Sequence, residues 1–312
     1  MVDLRIDLGG LMLKNPVMPA SGTFAEGLAR VFSFDRLGAI VTKTITAELR
    51  GGNPTPRVAE VGQGMLNSIG IPSKGVPYFI AHTIREYETC SAPLVVSVSA
   101  PTAELFADVV RQLNVPGIAA IEANISCPNI EEDGKAFAMR AKSTAAVVAQ
   151  LRKATQLPLW AKLTPNTGDV AAVARAAEEN GADALVVANT VLAMSIDTET
   201  FLPRLGSIMG GYSGPAIKPI ALRMVYQCAK AVDIPIVGCG GIATAEDAVE
   251  YMLAGATAVQ VGTATFVKPN AMLDVIDGLT AFCDRKGISR VSELTGAVKD
   301  RGLQVDKLEA LP

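Results

Sequence analysis

Histidine is almost missing from this 312-residue chain, where His82 stands alone. A single imidazole argues against the usual zinc sites and against Ser-His nucleophile pairs. Cysteine is sparse as well: five thiols, at 90, 127, 228, 239 and 283, with no C-x-x-C spacing among them. An odd, scattered set reads as reduced thiols in a cytoplasmic protein, and it offers no familiar ligand pattern for an iron–sulfur cluster. Excess charge is lacking too. The formal net charge is −3, with no run of Lys or Arg, which speaks against nucleic acid or an anionic membrane as the main partner. Residues 1–14 contain no long apolar segment, so neither a signal peptide nor a membrane anchor is expected.

What the chain does have is apolar substance. Hydrophobic residues make up 49% and charged residues 19%, a balance that suits a large enclosed core. Eight apolar runs of strand length recur, at 15–22, 38–45, 93–99, 119–126, 157–164, 184–190, 234–241 and 258–264. Each is followed by polar or Gly-rich residues and then a helical stretch; 144–151 and 170–180 show the 3.6-residue spacing, and Gly181 and Gly255 stand where helices end. Continuous apolar strands alternating with amphipathic helices predict a parallel sheet covered by helices. Eight units favour closure over an open doubly wound sheet. The expected fold is therefore α/β, a single (β/α)8 TIM barrel spanning 1–312 as one domain, with insertions after strands 2, 4 and 6. Two connections, 46–92 and 191–233, exceed ordinary turns and predict lids or small inserted elements.

In such a barrel the residues after each strand gather at one face. Here they include Ser21, Lys43, Asn124-Ile125-Ser126-Cys127-Pro128-Asn129, Lys162, Asn189-Thr190, Gly240-Gly241 and Gly262-Thr263. Paired carboxamides can grip a planar ligand that carries both amide N–H and C=O groups. A thiol beside them can act as base or nucleophile once deprotonated. The same hexapeptide also reads as a buried structural Cys between turn-forming asparagines, and the residues alone leave both open. Two lysines in apolar strands need anionic partners, and together they can hold a ligand that gains negative charge. The glycines ending strands 7 and 8, with a helix opening at Thr244, suggest a phosphate site. Gly238-x-Gly240-x-x-Ala243 also fits a dinucleotide fingerprint, but the next strand ends in Val261-Gly262-Thr263 without an acidic residue for a ribose. The mononucleotide reading is preferred. Asn67 in the first insertion can close over a ligand or form a turn, and the glycines at 210–214 let backbone approach a cofactor.

Taken together, residues 19–22, Lys43, 53–57, 67–70, 124–129, Lys162, Asn189-Thr190, 213–219, Gly240-Gly241 and Gly262-Thr263 resemble the dihydroorotate dehydrogenases. The resemblance runs to about residue 269 and is most similar to class 1B, the NAD-linked branch. It is most specific in Gly211-x-Ser213-Gly214-Pro215-Ala216-Ile217-Lys218-Pro219-Ile220-Ala221-Leu222-Arg223-Met224-Val225-Tyr226. Cysteine at 127 resembles class 1, since class 2 enzymes carry serine there.

The resemblance implies FMN, with flavin contacts at Ala20, Ser21, Gly22, Lys43, Thr44, Asn124, Lys162, Gly214, Gly240, Gly241, Gly262 and Thr263. It implies contacts to dihydroorotate or orotate at Lys43, Asn67, Ser68, Ile69, Gly70, Ile71, Asn124, Asn129, Asn189 and Thr190. Cys127 matches the catalytic base that takes a proton from C5, and Lys162 matches the charge that offsets the reduced ring. It further implies a homodimer core and a second subunit carrying FAD and a [2Fe-2S] cluster, together a heterotetramer that passes electrons to NAD. An alternative within the same barrel is the flavin subunit of a dihydropyrimidine dehydrogenase, which would take uracil or thymine. The chain departs from the family pattern at Asp133-Gly134, at Phe137-Ala138 and at Ile71-Pro72-Ser73.

Overall fold

The computed structural model describes residues 2–126 and 136–299. Eight parallel strands form its centre: β1 (Val17–Pro19), β2 (Ile40–Val41), β3 (Leu94–Val98), β4 (Ala120–Ala123), β5 (Leu159–Lys162), β6 (Ala184–Val187), β7 (Ile236–Cys239) and β8 (Ala258–Val261). Each falls inside one of the eight apolar runs. Every residue of β3 to β8 is buried, as expected of strands covered on both faces. The ladder runs β1-β8-β7-β6-β5-β4-β3-β2. Its two ends are joined not by a ladder but by the Gly38 N–H, which donates to the Val17 carbonyl at 2.9 Å. The barrel is thus nearly closed.

Helices pack around it: α1 (Val76–Ala81), α2 (Ala103–Gln112), α3 (Ala141–Ala154), α4 (Val170–Glu179), α5 (Lys218–Ala229), α6 (Ala245–Leu253), the short α7 (Ala264–Val267) and α8 (Ala271–Lys286). Side-chain caps start several of them. Thr102 accepts from Leu105 N at 3.2 Å and Asp169 from Ala172 N at 2.9 Å, each satisfying a donor that the helix leaves open. Buried residues at 170, 173, 174 and 177 form the inward stripe of α4.

One expectation fails. No α-helix follows β1; two 3-10 turns, Glu26–Arg30 and Phe34–Arg36, stand there instead. The buried side chains of this stretch are Phe24, Phe32, Phe34 and Leu37, which do not fall on one helical stripe. They pack as a knot of rings, with Phe24 and Phe34 centroids 4.7 Å apart.

The long insertions after β2 and β6 build one object. The hairpin Val58–Val61 and Gly64–Asn67 pairs with Gly210–Ser213, which in turn pairs with Val191–Ala193, all antiparallel. Two segments far apart in sequence therefore share one four-stranded sheet. The insertion expected after β4 falls mostly on 127–135, outside the described residues; the chain is joined across it by the Ala138 N–H donating to the Ile125 carbonyl at 3.0 Å. An N-terminal hairpin, Ile6–Asp7 with Met12–Leu13, sets Gly9 against Asp183, just before β6 begins. The other end of the barrel, where the strands finish, stays open. Among the described residues no helix is long and apolar enough to cross a membrane.

Candidate active site

The strand ends surround a cavity of about 700 Å³, within the range of cofactor and ligand pockets. Most of the residues singled out from the sequence line it. Ala20, Ser21 and Gly22 follow β1, while Lys43 and Thr44 follow β2. Asn124 and Ser126 follow β4, Lys162 ends β5, and Asn189 and Thr190 follow β6. Gly240 and Gly241 come from β7, Gly262 and Thr263 from β8, and Asn67, Ile69, Gly70 and Ile71 from the first insertion. Gly214 lines an adjoining cavity of about 240 Å³ together with Gly241 and Thr263. Ser68 does not join them. Successive residues of an extended chain point to opposite sides, and the Ser68 hydroxyl meets Ser207 Oγ at 3.0 Å and accepts from Asn53 Nδ2 at 2.7 Å. Cys127 and Asn129 lie outside the described residues. His82 is exposed at the end of α1, its ring tilted against that of Tyr78 and away from the cavity.

Among the polar side chains that line the cavity, Lys162 is the most buried, at 2% exposed. Its Nζ donates to Ser21 Oγ and to Gln260 Oε1, each at 3.1 Å, and lies 3.6 Å from Glu122 Oε1. Gln260 Nε2 donates to Glu122 Oε2 at 2.6 Å. Glu122 and Gln260 are completely buried. Sequence reading passed over both, although each leaves a signal: a single polar residue inside an otherwise apolar strand, Ile121-Glu122-Ala123 and Val259-Gln260-Val261. The described lining of the cavity includes a thiol, Cys239. Burial pushes its pKa up, with Lys162 opposing and Glu122 adding to the rise. It is therefore a neutral thiol at ordinary pH and a poor nucleophile.

Three carboxamides converge on the same space. Asn189 Nδ2 donates to Ser126 Oγ at 2.6 Å and to Asn124 Oδ1 at 3.4 Å. Asn124 Nδ2 reaches Thr44 Oγ1 at 3.5 Å, and that hydroxyl is 2.9 Å from Ser97 Oγ. Asn67 Nδ2 donates to the Gly211 carbonyl at 3.2 Å. Only glycine suits position 211, because a Cβ there would overlap the Thr190 hydroxyl. That contact draws the second insertion down onto β6 and sets Asn67 over the cavity. Lys43 is half-buried, and burial alone lowers its pKa.

The glycine-rich end behaves differently from the sequence expectation. The start of α6 was expected to form part of a phosphate site, but Asp247 Oδ2 already accepts from Ala243 N and Thr244 N, both at 2.9 Å. Lys218 Nζ pairs with the same carboxylate at 2.7 Å. That helix end is therefore occupied by its own side chain. Donors remain at the strand ends instead: the N–H groups of Gly241 and Thr263 enter no backbone hydrogen bond outside the ladders among the described residues. Gly241 has φ 70°, and a Cβ there would press on Gly214 O and Lys218 N at 2.9 Å, so the turn demands glycine. Tyr251 Oη donates to the Gly240 carbonyl at 2.6 Å and holds the turn from beneath.

Comparison with known proteins agrees with this geometry. The family model described as dihydroorotate dehydrogenase matches residues 3–283. The chain is 46% identical over 304 residues to a Bacteroides fragilis protein named dihydroorotate dehydrogenase B (NAD(+)), catalytic subunit, covering 96% of this chain and 100% of that one. Proteins of the same name from Porphyromonas gingivalis and Pelobacter propionicus are 48% and 44% identical, over 96% and 95% of this chain and 98% and 99% of theirs.

Proposed function

The chain belongs to the dihydroorotate dehydrogenase family, and on that footing we propose that it oxidises dihydroorotate to orotate in pyrimidine biosynthesis, as the FMN-binding catalytic subunit of an NAD-linked enzyme. One observation carries the reading. Asn67, Asn124, Asn189, Lys43 and Lys162, from five separate segments, turn to a single cavity. That is a donor and acceptor set for a small diamide bearing a carboxylate.

The residues also suit FMN. The cavity is large enough for a flat ring system, with apolar lining from Val58, Met65, Ile217 and Phe266. Lys162 supplies a fixed positive charge in a water-poor wall, where charge acts strongly. The uncommitted N–H groups of Gly241 and Thr263 offer donors to a phosphate. Bound FMN would supply the two-electron acceptor that no side chain here provides.

The chain's own part is to bind, orient and move one proton. Lys43 holds the substrate carboxylate, and the carboxamides Asn67, Asn124, Asn129 and Asn189, with Thr190, fix the diamide edge. The stretch Ser68-Ile69-Gly70-Ile71 closes over it with the four-stranded sheet and excludes water. Cys127, next in sequence to the cavity-lining Ser126, takes the proton from C5. The name "catalytic subunit" borne by the relatives implies a companion chain. We assign that role to a subunit with FAD and a [2Fe-2S] cluster, bound to a homodimer of this chain. Exposed Leu192, Met194, Ile196, Phe201, Leu202 and Ile208 on the second insertion are the kind of apolar surface that self-association covers.

Lys43 gives a test of the substrate side. Replacing it with methionine is expected to weaken orotate binding by roughly 10- to 100-fold, the worth of a charged hydrogen bond, as read from the perturbation of the flavin spectrum during titration. In wild type, orotate affinity should fall as pH rises through the depressed titration of Lys43, below the usual lysine value of ~10.4. The methionine variant should lose that slope. Over the same window the unfolded chain binds more protons than the folded one, so apoprotein stability should rise with pH. Unchanged orotate affinity in Lys43→Met would remove Lys43 from the substrate site.

A further inference from the structure

The buried pair behind Lys162, Glu122 and Gln260, has no counterpart in the reaction described above. Glu122 lies on β4 two residues before Asn124, and Gln260 on β8 two residues before Gly262. Neither lines the cavity. They touch it only through Lys162. Gln260 is oriented by chemistry at both ends: its amide nitrogen donates to Glu122 and its carbonyl accepts from Lys162. That order fits a carboxylate at one end and an ammonium at the other. Glu122 Oε1 has no hydrogen-bond partner among the described residues and faces the Lys162 ammonium at 3.6 Å. A buried lysine without an anion readily sheds its proton, because burial penalises the charged form.

We propose that Glu122 and Gln260 are positioning residues that keep Lys162 charged, and that loss of the Glu122 carboxylate makes FMN affinity fall as pH rises across the neutral to mildly alkaline range. The inference rests on the FMN reading given above. Among the described residues, the titratable groups facing Lys162 are few. Glu122 approaches from β4, and Cys239 from β7 is kept neutral by burial. Gln260 from β8 and Ser21 after β1 carry no charge. Lys43 lines the same cavity and has its own lowered pKa. Because it is present in every variant below, differences between profiles, not single profiles, isolate Lys162.

The experiment is quenching of FMN fluorescence by FMN-stripped full-length protein, titrated across pH. Relative to wild type at the same pH, Glu122→Gln is expected to lose affinity by roughly tenfold or more between about pH 7 and about pH 9. Glu122→Asp keeps the charge and should follow wild type. Glu122→Gln combined with Lys162→Met should bind weakly at every pH with no added step, since the titrating group is gone. A Glu122→Gln profile parallel to wild type overturns the proposal, as does a step that persists with methionine at 162. If Glu122→Gln does not fold, Glu122→Met removes the same carboxylate with an apolar side chain of similar length. A step is again expected, and a parallel profile again overturns the proposal. Wild-type protein that fails to quench FMN at any pH overturns the FMN reading and this inference with it, an outcome distinct from any difference among variants.

Discussion

Protein carrying Cys127→Ala will purify yellow, and dihydroorotate will bleach it roughly 10²–10⁴ times more slowly than wild type, the usual contribution of a positioned general base. The colour should persist because the groups assigned to the flavin, Lys162 and the strand-end glycines, sit on β5, β7 and β8 and are untouched. The rate should collapse because the described lining offers no second base without another role: Lys43 is assigned to the substrate carboxylate and Lys162 to the flavin. Cys239, which lines the cavity, is held neutral by burial, and Asn124, Asn189 and Ser126 do not titrate in this range. An unperturbed thiol ionises near ~8.5, so wild-type bleaching should accelerate toward alkaline pH and the alanine variant should lose that acceleration. Cys127→Ser should retain part of the rate. Stopped-flow bleaching under anaerobic conditions reads all three, and wild-type speed in Cys127→Ala would remove the thiol from the mechanism.

The second large effect concerns the acceptor. Purified alone, the chain should pass electrons from dihydroorotate to artificial dyes yet form no measurable NADH. The described thiols Cys90, Cys228, Cys239 and Cys283 are all free, and no group of His, Cys, Asp and Glu among the described residues is arranged to hold a metal. The Gly238–Ala243 turn leads into a helix where Asp247 already takes the N–H groups of Ala243 and Thr244 and pairs with Lys218, which places a carboxylate where a dinucleotide's phosphates would sit. Efficient NADH formation by the lone chain would defeat the two-protein scheme.

Much of this architecture was legible because it is local. A parallel strand buried on both faces writes itself as an unbroken apolar run, and all eight runs became strands. Ligand-end residues followed from strand count alone, which is why Lys43, Asn124, Lys162 and Asn189 share a cavity. What stayed hidden is long-range. Nothing in 58–67 announces pairing with 210–213, since antiparallel partners so distant in sequence are chosen by the nearly closed barrel beneath them. The stretch after β1 follows the packing of Phe24, Phe32 and Phe34 rather than a helical period. Glu122 and Gln260 stand out as polar letters in apolar words. Only when β4, β5 and β8 curve to face one centre does their role as supports for Lys162 become visible. The occupied start of α6 could have been suspected from Thr244 and Asp247, whose spacing is that of a reciprocal cap.

The most direct measurement is a visible spectrum of the purified chain, recorded without oxygen before and after addition of dihydroorotate. A flavin spectrum that bleaches with dihydroorotate, and not with dihydrouracil, is the predicted result. Colourless protein, or a yellow one that dihydroorotate leaves unchanged, would contradict it.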